Sequence, residues 1–397
     1  MTDRQHITIK NISTYTRGRY GRQARLIARR AEKNMKEKIV GLLLLNFSIL
    51  FAIDFIAIPA SNAVSIGSNR FIYYEDYYKK KPEKIVYRYP EKTVELDSYL
   101  ISKYLISNKL FNDFLVDTQY DLKVLSEFEY WRDYFDNHKT ANKHFELASF
   151  YEGMMFCQWL SNRQGKTYRF PTNAEWEYAA MKNSKSIYPF GNKNGLFKSI
   201  ETIVDTRRSF LDIGSINEDI SPFGVEGMFG GNEYVLDSFD GKNYDNFKNK
   251  QKNPLMFSTS SMFSIRSGDI RYNENRDDGF GLFYENMLPF DSCISTNSGI
   301  RLVEDTGIIF NQTEIDECIF FQNRGKIHTF TNIYIKPDYS FHDQKTLKEK
   351  TEVLTLFQTL DKNWLRIIYK EDDIWLTGWV PSCCILLSNK PWYEAPL

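Results

Sequence analysis

The thiols and imidazoles are the residues whose spacing would announce catalysis or metal binding, and the chain has five of each. Cys157 falls within an apolar helical pattern, where a free cysteine behaves as a small hydrophobe. Cys383 and Cys384 are neighbours at a strand end and are not expected to pair with each other. Cys293 and Cys318 leave one external disulfide open, whereas so few cysteines exclude a disulfide scaffold. Of the histidines only His138 and His144 are close, and a separation of six residues keeps them off a shared helical face. A structural role is therefore expected for both.

The elements that would carry these groups have clear local signals. Ser149-Phe-Tyr-Glu152 is a capping box, and it opens a helix with Tyr151, Met154, Met155, Trp159 and Leu160 as its apolar stripe. Thr172-Asn-Ala-Glu175 repeats the device and opens a helix carrying Trp176 and Ala180. Upstream, alternation from Thr93 predicts a strand with Val94, Leu96, Tyr99 and Ile101 buried. A helix near Asn108 follows, with Leu110, Phe111, Phe114 and Leu115 on one face. After Met181 the chain is loop-rich as far as about residue 300.

At 397 residues the chain exceeds one comfortable core and predicts two to three domains. Lys+Arg and Asp+Glu balance at 51 each, which gives no global electrostatic case for a nucleic-acid partner or an acidic substrate. The balance hides an asymmetry: residues 1–38 hold eleven basic and three acidic residues, so that segment carries +8 and the remainder −8. Directly after it, Ile39 to Ile58 run twenty residues with only Asn46, Ser48 and Asp54 polar. As a helix this run would span roughly 30 Å, a bilayer core. The positive-inside rule then predicts a cytoplasmic tail at 1–38, a transmembrane helix at 39–60 and an extracytoplasmic bulk. A cleaved signal peptide ending near Ser61-Asn62-Ala63 is the competing reading. Residues 61–92, rich in Tyr, Lys and Pro, read as a linker.

Tyr168-Arg-Phe-Pro-Thr-Asn-Ala-Glu-Trp-Glu-Tyr-Ala-Ala180 resembles the signature helix entry of the formylglycine-generating, or sulfatase-modifying factor, family. Supporting words fall in order: Val94 to Asn108, the Ser149 to Gly165 helix with Phe156-Cys-Gln-Trp-Leu-Ser161, Tyr188-Pro-Phe-Gly191, the Phe223-Gly224 to Met228 turn, Glu233-Tyr-Val-Leu-Asp237, Arg266-Ser-Gly268 and Ser298-Gly-Ile-Arg-Leu-Val303. The resemblance covers about residues 90–305. It implies an α+β, C-type-lectin-like fold with sparse regular structure for residues 93–305, and a family position for His144. It also implies tests of the family's chemistry. Members that oxidise cysteine hold copper through paired cysteines, a soft set suited to Cu(I), but Asp269 to Ser298 contains Cys293 alone. Members that use histidine-held iron need a cluster that His138 and His144 do not make. A structural calcium in the family would fall here at Asn232 and Glu233, in a Gly230-Gly-Asn-Glu-Tyr234 segment one residue shorter than the usual word; the alternative is a packed turn.

Beyond a linker at 306–325, residues 326–388 show four β-like runs, His328–Ile335, Thr351–Gln358, Trp364–Tyr369 and Ile374–Val380, between turn signals. Leu347 to Val353, Asn363 to Tyr369 and Thr377-Gly-Trp-Val-Pro381 resemble the bacterial SH3 module, an all-β SH3-like barrel that binds cell-wall peptides or protein segments. Trp364 and Trp375 are candidates for its groove, Trp379 for its core, and 389–397 is a tail. The expected protein is a single-pass bacterial inner-membrane component with its bulk in the periplasm, non-catalytic, and contacting envelope proteins or peptidoglycan rather than nucleic acid. An oxidoreductase of the sulfatase-modifying type with an unrecognised metal site, and a carbohydrate-binding lectin-like receptor, are the alternatives.

Overall fold

Val94, Leu96, Tyr99 and Ile101 are all buried, at 3% exposure or less, as the alternation predicts. They belong to strands at the entrance of the compact unit Asp54–Leu397. The computed structural model describes residues 53–67, 71–76, 81–86, 91–184, 189–191, 211–215, 219–229, 232–237, 250–255, 257, 262–267, 284–289, 298–312, 315–340, 342–371 and 374–394. The chain enters through β1 (Phe55–Ile58), β2 (Ser61–Ile66), the hairpin β3 (Phe71–Asp76) and β4 (Lys81–Val86), β5 (Lys92–Leu96) and β6 (Tyr99–Ser102). Helices α1 (Asn108–Thr118), α2 (Lys123–Glu127), α3 (Glu129–His138) and α4 (Phe150–Gln164) follow, then β7 (Thr167–Arg169) and α5 (Asn173–Met181). Both capping boxes form, with Ser149 and Thr172 accepting from the amides of Glu152 and Glu175. Every residue of α4 from Phe150 to Cys157 is buried, so this helix is a core element rather than an amphipathic one.

Short strands β8 (Asn232–Tyr234), β9 (Pro254–Leu255), β10 (Met262–Ser267), β11 (Tyr284–Pro289), β12 (Ser298–Gly299) and β13 (Val303–Asp305) complete this part. One sheet runs β1-β6-β13-β7 and another β11-β10-β8-β12. The mixture of helix and short sheets agrees with the α+β expectation.

Three expected boundaries are corrected. Phe55–Ile58 is a strand paired with Tyr99–Ser102, not the end of a membrane helix; Phe55 stacks on Tyr168 at 5.8 Å. A short apolar run fits strand or helix equally by pattern, and the pairing partner decides. The rest of 39–60 up to residue 52 lies outside the described residues, as does the basic tail, and among the described residues no helix is long and apolar enough to cross a membrane. The expected linker at 61–92 contains β2, which pairs with β5, and the β3–β4 hairpin. The expected linker at 306–325 is also strand.

There, β14 (Ile309–Gln312) and the thirteen-residue β15 (Ile315–Ile327) lead into β16 (Thr331–Tyr334), β17 (His342–Leu347), β18 (Glu352–Thr359), β19 (Trp364–Glu371), β20 (Ile374–Pro381) and β21 (Ile385–Ser388). The nine-stranded sheet has the order β17-β16-β20-β19-β18-β15-β14-β9, and β21 returns to pair with β15. Because β9 belongs to the first part and β14 pairs with it in parallel at Asn311–Pro254 and Gln312–Leu255, the C-terminal strands are joined to that part through a short backbone pairing. Their core is aliphatic, built on Ile327, Ile333, Val353, Leu365, Ile367 and Val380. Gly378 lies where β20 crosses Ile333: a Cβ there would stand 2.3 Å from the Ile333 side chain, so only glycine lets the strands approach.

Candidate functional site

Asn232-Glu-Tyr234 forms β8, sandwiched between β10 and β12. This places the Glu233 carboxylate in the interior, where a charge needs close partners. Arg301 supplies them: its Nε lies 2.7 Å from one carboxylate oxygen and its Nη2 2.8 Å from the other. Trp176 Nε1 donates to the first oxygen at 2.7 Å. The remaining Arg301 hydrogens go to the carbonyls of Ser102, Lys103 and Glu226 at 2.9–3.1 Å. Neither side chain of the pair has any exposure.

The same helix anchors two further pairs. Glu175 closes its capping box on the Thr172 amide and at once receives Arg169 in two bonds of 2.7 and 2.9 Å. Burial pushes the Arg169 guanidinium down, and Glu175 and Asp305 more than offset that, holding it above its usual value. Glu177 takes Arg266 at 2.6 Å and the Gly67 amide at 2.7 Å. Burial holds the Glu177 carboxyl above the ordinary range, with Arg266 and that amide opposing. Asn173 fastens the helix start to Asp237, its amide donating at 2.7 Å. Glu175, Trp176 and Glu177 thus tie one short helix to strands β7, β8 and β10 and to the closing Arg301.

This geometry does not fit calcium. A hard cation takes six to eight oxygens, whereas the Glu233 carboxylate already receives three N–H donors, two of them from a guanidinium that would repel a cation. Asn232 stands beside it, paired in register with Ser298 of β12. Cys293 lies outside the described residues, so neither its surroundings nor the Cys293–Cys318 disulfide is described. Cys318 and Cys157 are buried, and burial pushes the Cys157 thiol well up, which leaves it inert as a nucleophile. His138 stacks on Tyr134 at 4.6 Å with Nδ1 at 2.8 Å from the Tyr134 carbonyl, and His144 is buried in a bridge to Ser107. Among the described residues no three His, Cys, Asp or Glu side chains gather as a metal site.

The two candidate groove tryptophans are not brought together. In the β19–β20 hairpin Trp364 pairs with Pro381 and Trp375 with Lys370, at opposite ends. Both are 6% exposed. Trp364 packs on Tyr334 at 5.0 Å and Tyr339 at 4.8 Å, whereas Trp375 faces Tyr151 of α4 at 5.3 Å. Trp375 is therefore a contact between the C-terminal strands and the helix. The exposed aromatics of this region are Tyr339, at 65% exposure just after Lys336-Pro-Asp338, and Phe330, at 59%. Trp379 is fully buried, as expected, beneath the Arg366 guanidinium.

The body that carries these three buried Arg–Glu pairs mixes helices with short sheets, and the sequence match gives its class. Residues 57–306 match the sulfatase-modifying factor enzyme 1-like domain, and the chain belongs to that family. The match begins where β1 runs, which is why that strand and β2 are part of the domain. Among solved structures, PvdO from Pseudomonas aeruginosa is similar at 17% identity and a TM-score of 0.45, covering 63% of this chain and 94% of that one. Variable protein 1 of Treponema denticola is similar at 15% identity and a TM-score of 0.36, with the same coverages. Curated protein sequences give no match.

Proposed function

We propose that this protein is a non-catalytic binding or scaffold component of the bacterial envelope, built on a sulfatase-modifying-factor body. The observation that carries the reading is the single thiol, Cys293, in the interval 269–298, where the oxidising members of the family need two. The saturated Glu233–Arg301 centre supports it, because the family's acidic position is spent on structure. In this reading residues 326–388 are an SH3-like module, supported by short antiparallel strands that curl back until β21 meets β15. Its expected partners are envelope proteins or peptidoglycan, and the part of the apolar run that precedes β1 anchors the chain in the inner membrane.

Two expected results test this. Incubated with copper and a sulfatase-type cysteine peptide, the protein leaves the peptide mass unchanged; a thiol-to-aldehyde mass change that disappears in Cys293→Ser would overturn the non-catalytic role. A reporter active only in the periplasm, fused after Asp97, is active in cells. Activity from a cytoplasm-only reporter at that point instead would reverse the orientation and remove the envelope assignment.

A further inference from the structure

Ser382–Cys384 forms one 3-10 turn between β20 and β21, and it brings two adjacent thiols to the same side. The sulfurs of Cys383 and Cys384 are 4.0 Å apart. Cys383 is exposed, while Cys384 is half-buried against the aliphatic core. The turn is pinned from both flanks. Ser382 N donates to the Asn363 carbonyl at 2.8 Å, and His328 N donates to the Cys384 carbonyl at 3.0 Å. The His328 ring adds Nε2 at 2.7 Å from the Cys383 carbonyl, with its Nδ1 3.0 Å from Thr329 Oγ1. The imidazole therefore holds the backbone of the turn rather than pointing a spare nitrogen at the sulfurs.

Oxidation of this pair is disfavoured by covalent geometry. Consecutive Cα atoms lie about 3.8 Å apart, short of the roughly 4.4 to 6.8 Å that an unstrained disulfide spans. The dithiol is the relaxed form. With metal–sulfur bonds of about 2.3 Å, sulfurs 4.0 Å apart subtend an angle of about 120° at a shared ion, which is a trigonal edge with an open third position. Thiolates are soft ligands and select monovalent copper over the hard cations.

We propose that Cys383 and Cys384 form a two-thiolate site for a soft, thiophilic cation of the cuprous class, accessible from solvent through Cys383. It lies in the C-terminal strands, outside the family's matched region, and stands independently of the scaffold reading. Binding displaces both thiol protons and changes no oxidation state. Burial raises the Cys384 thiol above its ordinary range, and a hydrogen bond with Thr331 partly offsets this.

The test is an anaerobic titration of the reduced, full-length protein with Cu(I) held by a chromophoric competitor. One equivalent should be withdrawn at the pair. Cys383→Ser should weaken that equivalent by about 100-fold or more, since the second thiolate of a chelate binds at high effective concentration. Cys293→Ser should leave it unchanged. Because Cys383 is exposed, its serine variant keeps the fold, checked by an unchanged near-ultraviolet circular dichroism spectrum. Cys384→Ser supplies the second measurement. Equal copper uptake by Cys383→Ser and the parent protein would overturn the site, as would peptide mapping that recovers the two cysteines joined as a disulfide in the untreated protein.

Discussion

Replacing Glu233 by glutamine is expected to cost about 3 to 5 kcal/mol of stability, the range for breaking a buried ion pair while leaving one charge behind. The substitution is nearly isosteric, so the loss is electrostatic rather than steric. Arg301 would remain fully buried, with only carbonyl oxygens and a neutral amide around it, and Trp176 Nε1 would lose its charged acceptor. Urea denaturation should show the midpoint falling at an unchanged slope. The double variant Glu233→Leu with Arg301→Met should cost less than Glu233→Gln alone, because apolar replacement of both partners removes the stranded charge. If Glu233→Gln melts like the parent protein, the pair is not the closing anchor of the domain, and the carboxylate becomes available for another ligand.

Trp392→Ala is the second large effect, again about 3 to 5 kcal/mol, the usual cost of truncating a core tryptophan. Residues 389–397 read in sequence as a tail, yet Trp392 is fully buried. Its Nε1 donates to the Asn323 carbonyl at 2.7 Å, its backbone amide to Gln158 Oε1 at 2.6 Å, and its ring stacks on Tyr151 at 6.0 Å. Tyr393 follows, accepting from Asn162 at 3.1 Å and meeting Phe114 edge-on at 6.3 Å. The turn Trp392–Glu394 therefore bolts the C-terminal strands to α4. Truncation before Pro391 should lower stability about as much as Trp392→Ala. Trp375→Ala should act in the same direction, since Trp375 also packs on the Tyr151 ring, at 5.3 Å. Stability unaffected by the truncation would mean that the β9–β14 ladder and contacts such as Trp375 on Tyr151 hold the two parts together without this turn.

Local words carried the elements they could close by themselves. Ser149 and Thr172 mark helix starts because a capping box satisfies its donors within four residues, whatever the rest of the chain does. Alternation marked Val94, Leu96, Tyr99 and Ile101 because one face of a strand is buried whichever partner it pairs with, although the partners themselves lie elsewhere in the chain. The helix Glu129–His138 carries no such local signal: its N-cap Phe128 makes no side-chain bond, and buried Trp131, Tyr134 and Phe135 sit among charged residues that mask the stripe.

What the linear chain determined on its own was the family, the capped helices, the lone thiol at Cys293 and the adjacency of Cys383 and Cys384. Only the tertiary structure decided that Glu233 belongs to Arg301, sixty-eight residues away, that Phe55–Ile58 is a strand, and that Trp375 and Trp392 converge on Tyr151. The physical reason is common to all three. A carboxylate, an apolar tetrapeptide and an indole each have several good environments, and spacing along the chain does not distinguish them. The choice is made by whichever partner folding brings within hydrogen-bonding or van der Waals reach.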